Sequence, residues 1–461
     1  MRLKSICSLA FLTMWLVQSV HAIAPMPEML NREEMLKQAS EVTREMAPDA
    51  RTFGFAQARY VEYAPDGSST LWIEWWIKAF TEGGAQELHE IPMWYKKGFS
   101  ESEFHLAEVI RADGSILPVD LKANVKDVSS NDGNDENIYD ENSRQVVLTI
   151  PQIQKDETLH FVMVQHTMRP RIPDAYMDFD TFESMESPLP YAKLTIVAPK
   201  ELPLKSMAVL DEVPGTIKVS QETLSNGGIK YCWEARNVPQ TFPEENMPDE
   251  ITQLQRVVVS TFATWEELSK WYWDLCAPHM KVTPAITAKV KELTEGKSRE
   301  DQIAALFGFV AQEIRYMGII AEDTAPGYEP HDVSLTFDNR YGVCRDKGAL
   351  LVAMLREAGF NAFPVLINAG SQRDREVPIP YFNHAVIAID EGERNYRLMD
   401  PTDDTARAEL PAYLSDCTYL VTRPEGETLL VTPVPNPADH TTTVKTDAVL
   451  DKSGNLELSS T

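Results

Sequence analysis

The chain runs to 461 residues and sets 43 Lys and Arg against 70 Asp and Glu, a formal net charge of −27 at neutral pH. That length predicts about two to three domains. An acidic balance this strong, with no basic patch to interrupt it, repels anionic membrane surfaces and nucleic acid and excludes nucleic acid as a partner.

Residues 1–22 hold a basic start (Arg2, Lys4), an apolar run from Ile6 to Val17 and a small-residue cleavage site at Val20-His21-Ala22. This is the build of a secretory signal peptide, and the expected destination is the periplasm or the extracellular space. Cys7 lies early in the apolar run, which argues against a lipoprotein cleavage site. Removing the segment deletes two basic residues and no acidic one, taking the charge from −27 to −29. No later stretch reaches the ~18 apolar residues of a membrane span. Residues 23–50 carry helix formers and read as a leading helix and linker.

From 51 to 258 the pattern is that of strands. Leu71, Ile73, Trp75, Ile77 and Ala79 alternate with Trp72, Glu74, Trp76, Lys78 and Phe80, so this strand is expected to be covered on both faces. Val146–Ile150, Phe161–Val164 and Leu194–Val197 are further strands, and the region reads as a β-sandwich or a large open sheet. Its tryptophans fall in strand alternation and read as core, not as a sugar platform. The Asp/Asn-rich run from Asn131 to Asn142 lacks the ligand spacing of a calcium loop. Residues 236–250, rich in Pro, Glu and Asn, read as an interdomain connection.

Helices follow. Thr264-Trp265-Glu266-Glu267 has the form of a capping box, and Ser298 precedes an apolar stripe through Ile303, Leu306, Val310 and Ile314. That second helix delivers Arg315 and Tyr316 to a loop ahead of Cys344. Cys344 itself follows a glycine and opens the apolar run Ala349–Leu355, which ends near Gly359. The run reads as a buried helix with the thiol at its N-terminus, where unpaired N–H groups favour thiolate, and Gly359 at C′. Arg345 acts in the same sense if its side chain stays near.

Asn383–Ile389 and Asn395–Asp400 are β-prone runs around turn residues. An antiparallel hairpin centred on Gly392 puts His384 and Asp400 directly opposite one another, with Cβ atoms about 4.5–5.5 Å apart. They are then neighbours, as a base and its orienting carboxylate must be. Each residue also has an ordinary structural reading: Cys344 a buried thiol, His384 a satisfied histidine, Asp400-Pro401-Thr402 a strand-ending turn. Cys276-x-x-His279 resembles half a metal site with no second half. Zinc hydrolysis is disfavoured, because His279 and His331 form no ligand set with His384. A disulfide to Cys344, drawn from Cys232, Cys276 or Cys417, would compete directly with catalysis. Residues 423–461 read as the start of a C-terminal β-domain, with Ser453-Gly454-Asn455 as a turn.

Gly342-Val343-Cys344-Arg345-Asp346-Lys347, Leu350-Leu351-Val352-Ala353-Met354-Leu355-Arg356, Asn383-His384-Ala385 and Leu398-Met399-Asp400-Pro401-Thr402 resemble the core of bacterial transglutaminase-like proteins. The resemblance covers about residues 260–420. It implies a papain-like α+β core at 259–422, with Cys344 as nucleophile, His384 as base and acid, and Asp400 orienting His384. Lys78-Ala79-Phe80, Glu82-Gly83-Gly84 and the segment Ala107–Gly114 resemble an uncharacterised β-domain that often precedes such cores. The function implied is cysteine acyl transfer on peptide or protein amides, by hydrolysis or transamidation, with no cofactor. The alternative is an inactive scaffold that binds a cell-surface protein or polysaccharide. The backbone N–H of Cys344 is the natural oxyanion donor, and Tyr316, Arg345 and Asn383 are candidates for the second donor or for substrate contact.

Overall fold

Alternation of large apolar residues along Ser69–Ala79 makes this strand the middle of the largest sheet. Trp72, Glu74 and Trp76 point to one face and are buried; Leu71, Ile73 and Trp75 point to the other and are half-buried. The computed structural model describes residues 25–460 except 131–136, 183, 246, 321–326, 371, 373–374, 381, 405–408, 437 and 439–440. The expected signal peptide therefore lies outside the described residues, as does half of the Asp/Asn-rich run.

The sheet has eight strands. From edge to edge they are Ile217–Thr223, Ile229–Val238, Leu189–Ala198, Thr52–Tyr63, Ser69–Ala79, Thr158–Thr167, Ser100–Ile110 and Ile116–Pro118. Neighbours are antiparallel except Thr52–Tyr63 and Leu189–Ala198. The helix Arg32–Glu41 covers one face, where Met35 and Ala39 pack on Phe53, Phe55, Trp72 and Trp76. Two three-stranded sheets cover the other. Val257 and Val259 of Gln255–Ser260 pack on Leu194 and Trp233; Met93 and Leu148 of the second sheet pack on Ile77 and Phe161. Both faces of the central strand are thus covered, and Trp72 and Trp76 are core residues.

The segment 236–250 does not connect domains. It links Ile229–Val238 to Gln255–Ser260, both within the β-rich half. Pro239, Pro243 and Pro248 cannot donate to a ladder, which keeps the link irregular without separating anything. The change to helix comes between Ser260 and Trp265. There Thr264 accepts from the N–H of Glu267 at 3.3 Å, while the Glu267 carboxylate reaches back to the N–H of Ala263 at 2.9 Å. The capping box is therefore offset by one residue.

In the second half, among the described residues, the helices Cys344–Glu357 and Trp265–Cys276 pack on a five-stranded antiparallel sheet, and Pro284–Thr294, Arg299–Glu313 and Val333–Asn339 pack on Cys344–Glu357. Its strands run Tyr396–Met399, His384–Asp390, Ala362–Ile367, Thr418–Val421, Leu430–Val431. The helix Cys344–Glu357 is central. Residues 349–355 are buried, between Ile303, Leu306 and Val310 of Arg299–Glu313 and Ile387, Ile389 and Met399 of the sheet. Truncating Leu350 to alanine here costs roughly 2–5 kcal/mol. Gly359 closes the helix at φ 89°, with Phe360 N–H bonded to Leu355 O at 3.0 Å and Gly359 N–H to Arg356 O at 3.0 Å. Beyond the core, Thr446–Leu450 and Leu456–Ser460 form the expected hairpin across the turn at Gly454. Among the described residues helix takes 22% and strand 37%, so the chain is α+β: a large β-rich region followed by an α+β core. Among the described residues no helix is long and apolar enough to cross a membrane.

Candidate active site

Cys344 is the first residue of its helix, and the turn before it is built to hold that position. The Asp346 carboxylate accepts from the N–H of Val343 at 3.1 Å and the N–H of His331 at 2.9 Å, tying two loops to the helix start. Gly342 is needed for this return: a Cβ there would lie 2.7 Å from Asp346 Cβ. Cys344 is half-buried, and all four described cysteines are free, so no disulfide among them engages it. Arg345 stays close, its Nε donating to Glu329 O at 2.9 Å.

His384 heads the strand His384–Asp390, with Nε2 3.0 Å from Asp400 Oδ2. The register differs from the sequence expectation. Ile387 pairs with Met399 and Asp390 with Tyr396, so the hairpin turns on Glu393. Gly392, Glu393 and Arg394 all have positive φ, and Asn395 N–H closes the turn on Gly392 O at 2.9 Å. Asp400 consequently stands diagonal to His384 instead of opposite it. Moving the centre by one residue moves each pairing by two, so both side chains keep the same face and the contact survives.

Asp400 is fully buried, and both of its oxygens are occupied. Oδ1 accepts from the Thr402 N–H at 3.0 Å and the Thr402 hydroxyl at 2.7 Å. Oδ2 accepts from His384 and from the Tyr413 hydroxyl at 2.9 Å. Sequence reasoning missed Tyr413, which arrives on a single 3-10 turn, Ala412–Leu414, with no periodicity to mark it.

The electrostatics favour an ion pair. Burial opposes charge on His384, but hydrogen bonds with Asp400 and Cys344 outweigh it and raise the imidazole to about 10. Burial likewise opposes the Cys344 thiolate. The His384 hydrogen bond, the charges of His384 and Arg345, and the N–H of Ala385 outweigh it and hold the thiol below its ordinary value. Asp400 is pulled down against burial by His384 and Thr402, and remains a carboxylate. Three positions along the helix, Lys347 is buried and donates to Ile314 O at 2.6 Å and Ala311 O at 3.2 Å. It thereby clamps the end of Arg299–Glu313, from which Tyr316 emerges.

A cavity of about 530 Å³ opens beside His384, lined on the core side by Arg315, Tyr316, Thr402, Asp403, Asp404 and Tyr413. Tyr316 reaches it because Arg315–Tyr316 pairs in parallel with Tyr341–Gly342. Of the candidates read from sequence, Cys344, His384, Asp400, Arg345 and Tyr316 come together. Asn383 does not join them: its Oδ1 accepts from Ala369 N–H at 2.8 Å and its Nδ2 donates to Ala369 O at 3.1 Å. The amide extends the sheet beyond the Ile367–His384 pair, which makes it a structural bridge. Cys276 is buried with its thiol pushed up to about 12 by burial, and His279 lies between Glu329 and Asp332 at 2.9 and 2.8 Å. Among the described residues no cluster is arranged to hold a metal ion.

The profile of DUF3857, a domain of unknown function with solved structures, matches residues 65–242, and that of the transglutaminase-like superfamily matches residues 286–387. No curated protein matches the sequence. A provisionally assigned protease from Parabacteroides distasonis superposes with a TM-score of 0.65 at 16% identity, covering 84% of this chain and 72% of its own. At that identity the likeness is one of fold. A provisionally assigned cysteine protease from Cytophaga hutchinsonii aligns at 13% identity over 50% of this chain and 78% of its own, with a TM-score of 0.22. A TGase aligns at 14% identity over 49% and 54%, with a TM-score of 0.18, and overlaps this loose carry no argument. The chain therefore carries a transglutaminase-like core set behind a DUF3857 domain.

Proposed function

We propose that the chain is an exported cysteine acyl-transfer enzyme acting on amide bonds of peptides or proteins. The observation that carries this reading is the placement of His384, bonded to Asp400 on Nε2 and hydrogen-bonded with the Cys344 thiol, at the edge of a cavity. The Cys344 thiolate attacks the amide carbonyl carbon, and the developing oxyanion is met by the backbone N–H of Cys344. His384 gives its proton to the departing amine as the C–N bond breaks, leaving a thioester on Cys344. Water, deprotonated by His384, then attacks and restores the thiol, giving a carboxylate. A primary amine entering instead gives a new amide. Asp400 keeps the imidazole ring aimed and supports its charge in both halves. Export rests on residues 1–22.

The test is intact-mass analysis of the protein mixed with a peptide library, with dansylcadaverine added to half the samples. An acyl adduct on Cys344 that hydroxylamine removes, absent from Cys344→Ser, is the expected result. Carboxylate products assign hydrolysis and dansyl-labelled products assign transamidation. Neither adduct nor product across the library would leave the inactive scaffold as the better reading.

A further inference from the structure

The cavity at His384 is not built by the core alone. The strand Ile138–Asp140 falls in sequence within the β-rich region, between Val125–Ser129 and Ser143–Thr149 of one of its small sheets, yet pairs in parallel with Gly318–Ile320 of the core. The N–H of Gly318 donates to Asn137 O at 3.0 Å, and Lys96 of the β-rich region forms an ion pair with Asp140 that ties the strand back. Gly318 is the point of closest approach. A Cβ there would lie 2.7 Å from Val343 Cγ1 and 3.8 Å from Ile138 Cγ2. Val343 is the residue before Cys344, so contact runs from the β-rich strand through one glycine to the start of the nucleophile's helix. Asn137 heads that strand, is exposed, and lines the cavity with Tyr316 and His384.

We infer that the DUF3857 domain supplies one wall of the substrate cleft, with Asn137 as a specificity-determining residue that reads the backbone of a peptide entering beside Cys344. The inference rests on the acyl-transfer reading above. An asparagine amide offers both a donor and an acceptor, the complement of a peptide group's C=O and N–H. Arg315, Asp403 and Asp404 make the rest of the cleft polar, which suits a peptide and not an acyl chain or an apolar side chain. Asn137 has φ 59°, a left-handed conformation that asparagine adopts more readily than most residues. That backbone aims the side chain and limits what can replace it.

The test compares two electrophiles on the full-length protein. Iodoacetamide reads the thiolate alone, whereas an acetyl-trialanyl chloromethyl ketone reads the thiolate and the cleft together. In each, the Cys344 sulfur displaces a halide. Asn137→Gly removes the amide and keeps the left-handed backbone; Asn137→Asp keeps the shape and removes the donor. The expected result is that the ratio of peptide-probe to iodoacetamide rate constants falls about tenfold in Asn137→Gly, and falls in Asn137→Asp, through a weaker KI and not a slower kinact. A ratio within about twofold of wild type in both variants overturns the inference. Wild-type Cys344 that reacts with iodoacetamide no faster than a free thiol is a separate result. It would remove the acyl-transfer reading and this inference with it.

Discussion

Each half of the molecule encloses a histidine against carboxylates, and the two sites differ in what lies on the open side. In the β-rich region His160 has Nδ1 2.7 Å from Glu108 Oε1 and Nε2 3.2 Å from Glu74 Oε1, with the Trp76 ring stacked at 3.8 Å. Arg32 of the leading helix closes the group, its Nη2 donating to Glu108 Oε2 at 3.1 Å. The side chains of His160, Glu74 and Glu108 are only 3%, 8% and 7% exposed, and both ring nitrogens face carboxylates. Such a histidine has nothing left to give a reactant. It holds a helix to a sheet. His384 has one carboxylate, one thiol and a cavity in front of it, so its proton has somewhere to go. A histidine–carboxylate contact is therefore a weak sign of catalysis until the second nitrogen and the open space are considered.

The comparison breaks most sharply through substitution. Cys344→Ala is expected to lower kcat roughly 10⁴-fold or more with little loss of stability, read by peptide turnover and urea melts together. His384→Ala should lower kcat as far and also cost stability, because buried Asp400 loses its partner. Asp400→Asn is expected to cost roughly 10³-fold in kcat, because the ring loses its anchoring charge. His160→Leu should do the reverse. It leaves two buried carboxylates without their central partner and costs about 3 kcal/mol in urea unfolding, while Cys344 alkylation keeps its wild-type rate. A His160 variant with normal stability and a dead thiol would invert the assignment of the two sites. The smallest effect belongs to Tyr413→Phe, about 1 kcal/mol in kcat, since Asp400 keeps its Thr402 bonds.

Acid separates the sites as well. Burial opposes charge on Glu108, but hydrogen bonds from His160 and Arg32 outweigh it and bring the carboxyl down to about 2. Its contribution to stability is present above the ordinary carboxylate value and is lost as pH falls from there through about 2. Proteolysis of the leading helix should thus rise progressively as the pH falls from the ordinary carboxylate range toward about 2.

Much of the core site was legible because it depends on local rules. A cysteine opening an apolar run predicts a helix N-terminus, and strand parity keeps His384 and Asp400 on one face because the true turn centre differs from the expected one by a whole residue. The turn was not legible in detail, since three consecutive positive-φ residues follow no simple hairpin pattern. Asn383 looked like a donor by adjacency to His384, but the sheet's need for one more bridge claimed it. Tyr413 and Asn137 come from segments whose approach is set by tertiary packing alone. The His160 group did leave a trace. Glu74 is in phase with Trp72 and Trp76, and a carboxylate on a tryptophan-bearing core face requires a partner.

The central claim is a standing Cys344 thiolate and His384 imidazolium pair. Its most direct test is the rate of iodoacetamide labelling at Cys344, located by mass spectrometry across pH 4 to 9, in wild type and His384→Ala. Labelling that persists well below a free thiol's pKa of about 8.5, and weakens in His384→Ala, is the predicted result. Labelling that follows an ordinary thiol titration, or appears only after unfolding, would contradict it.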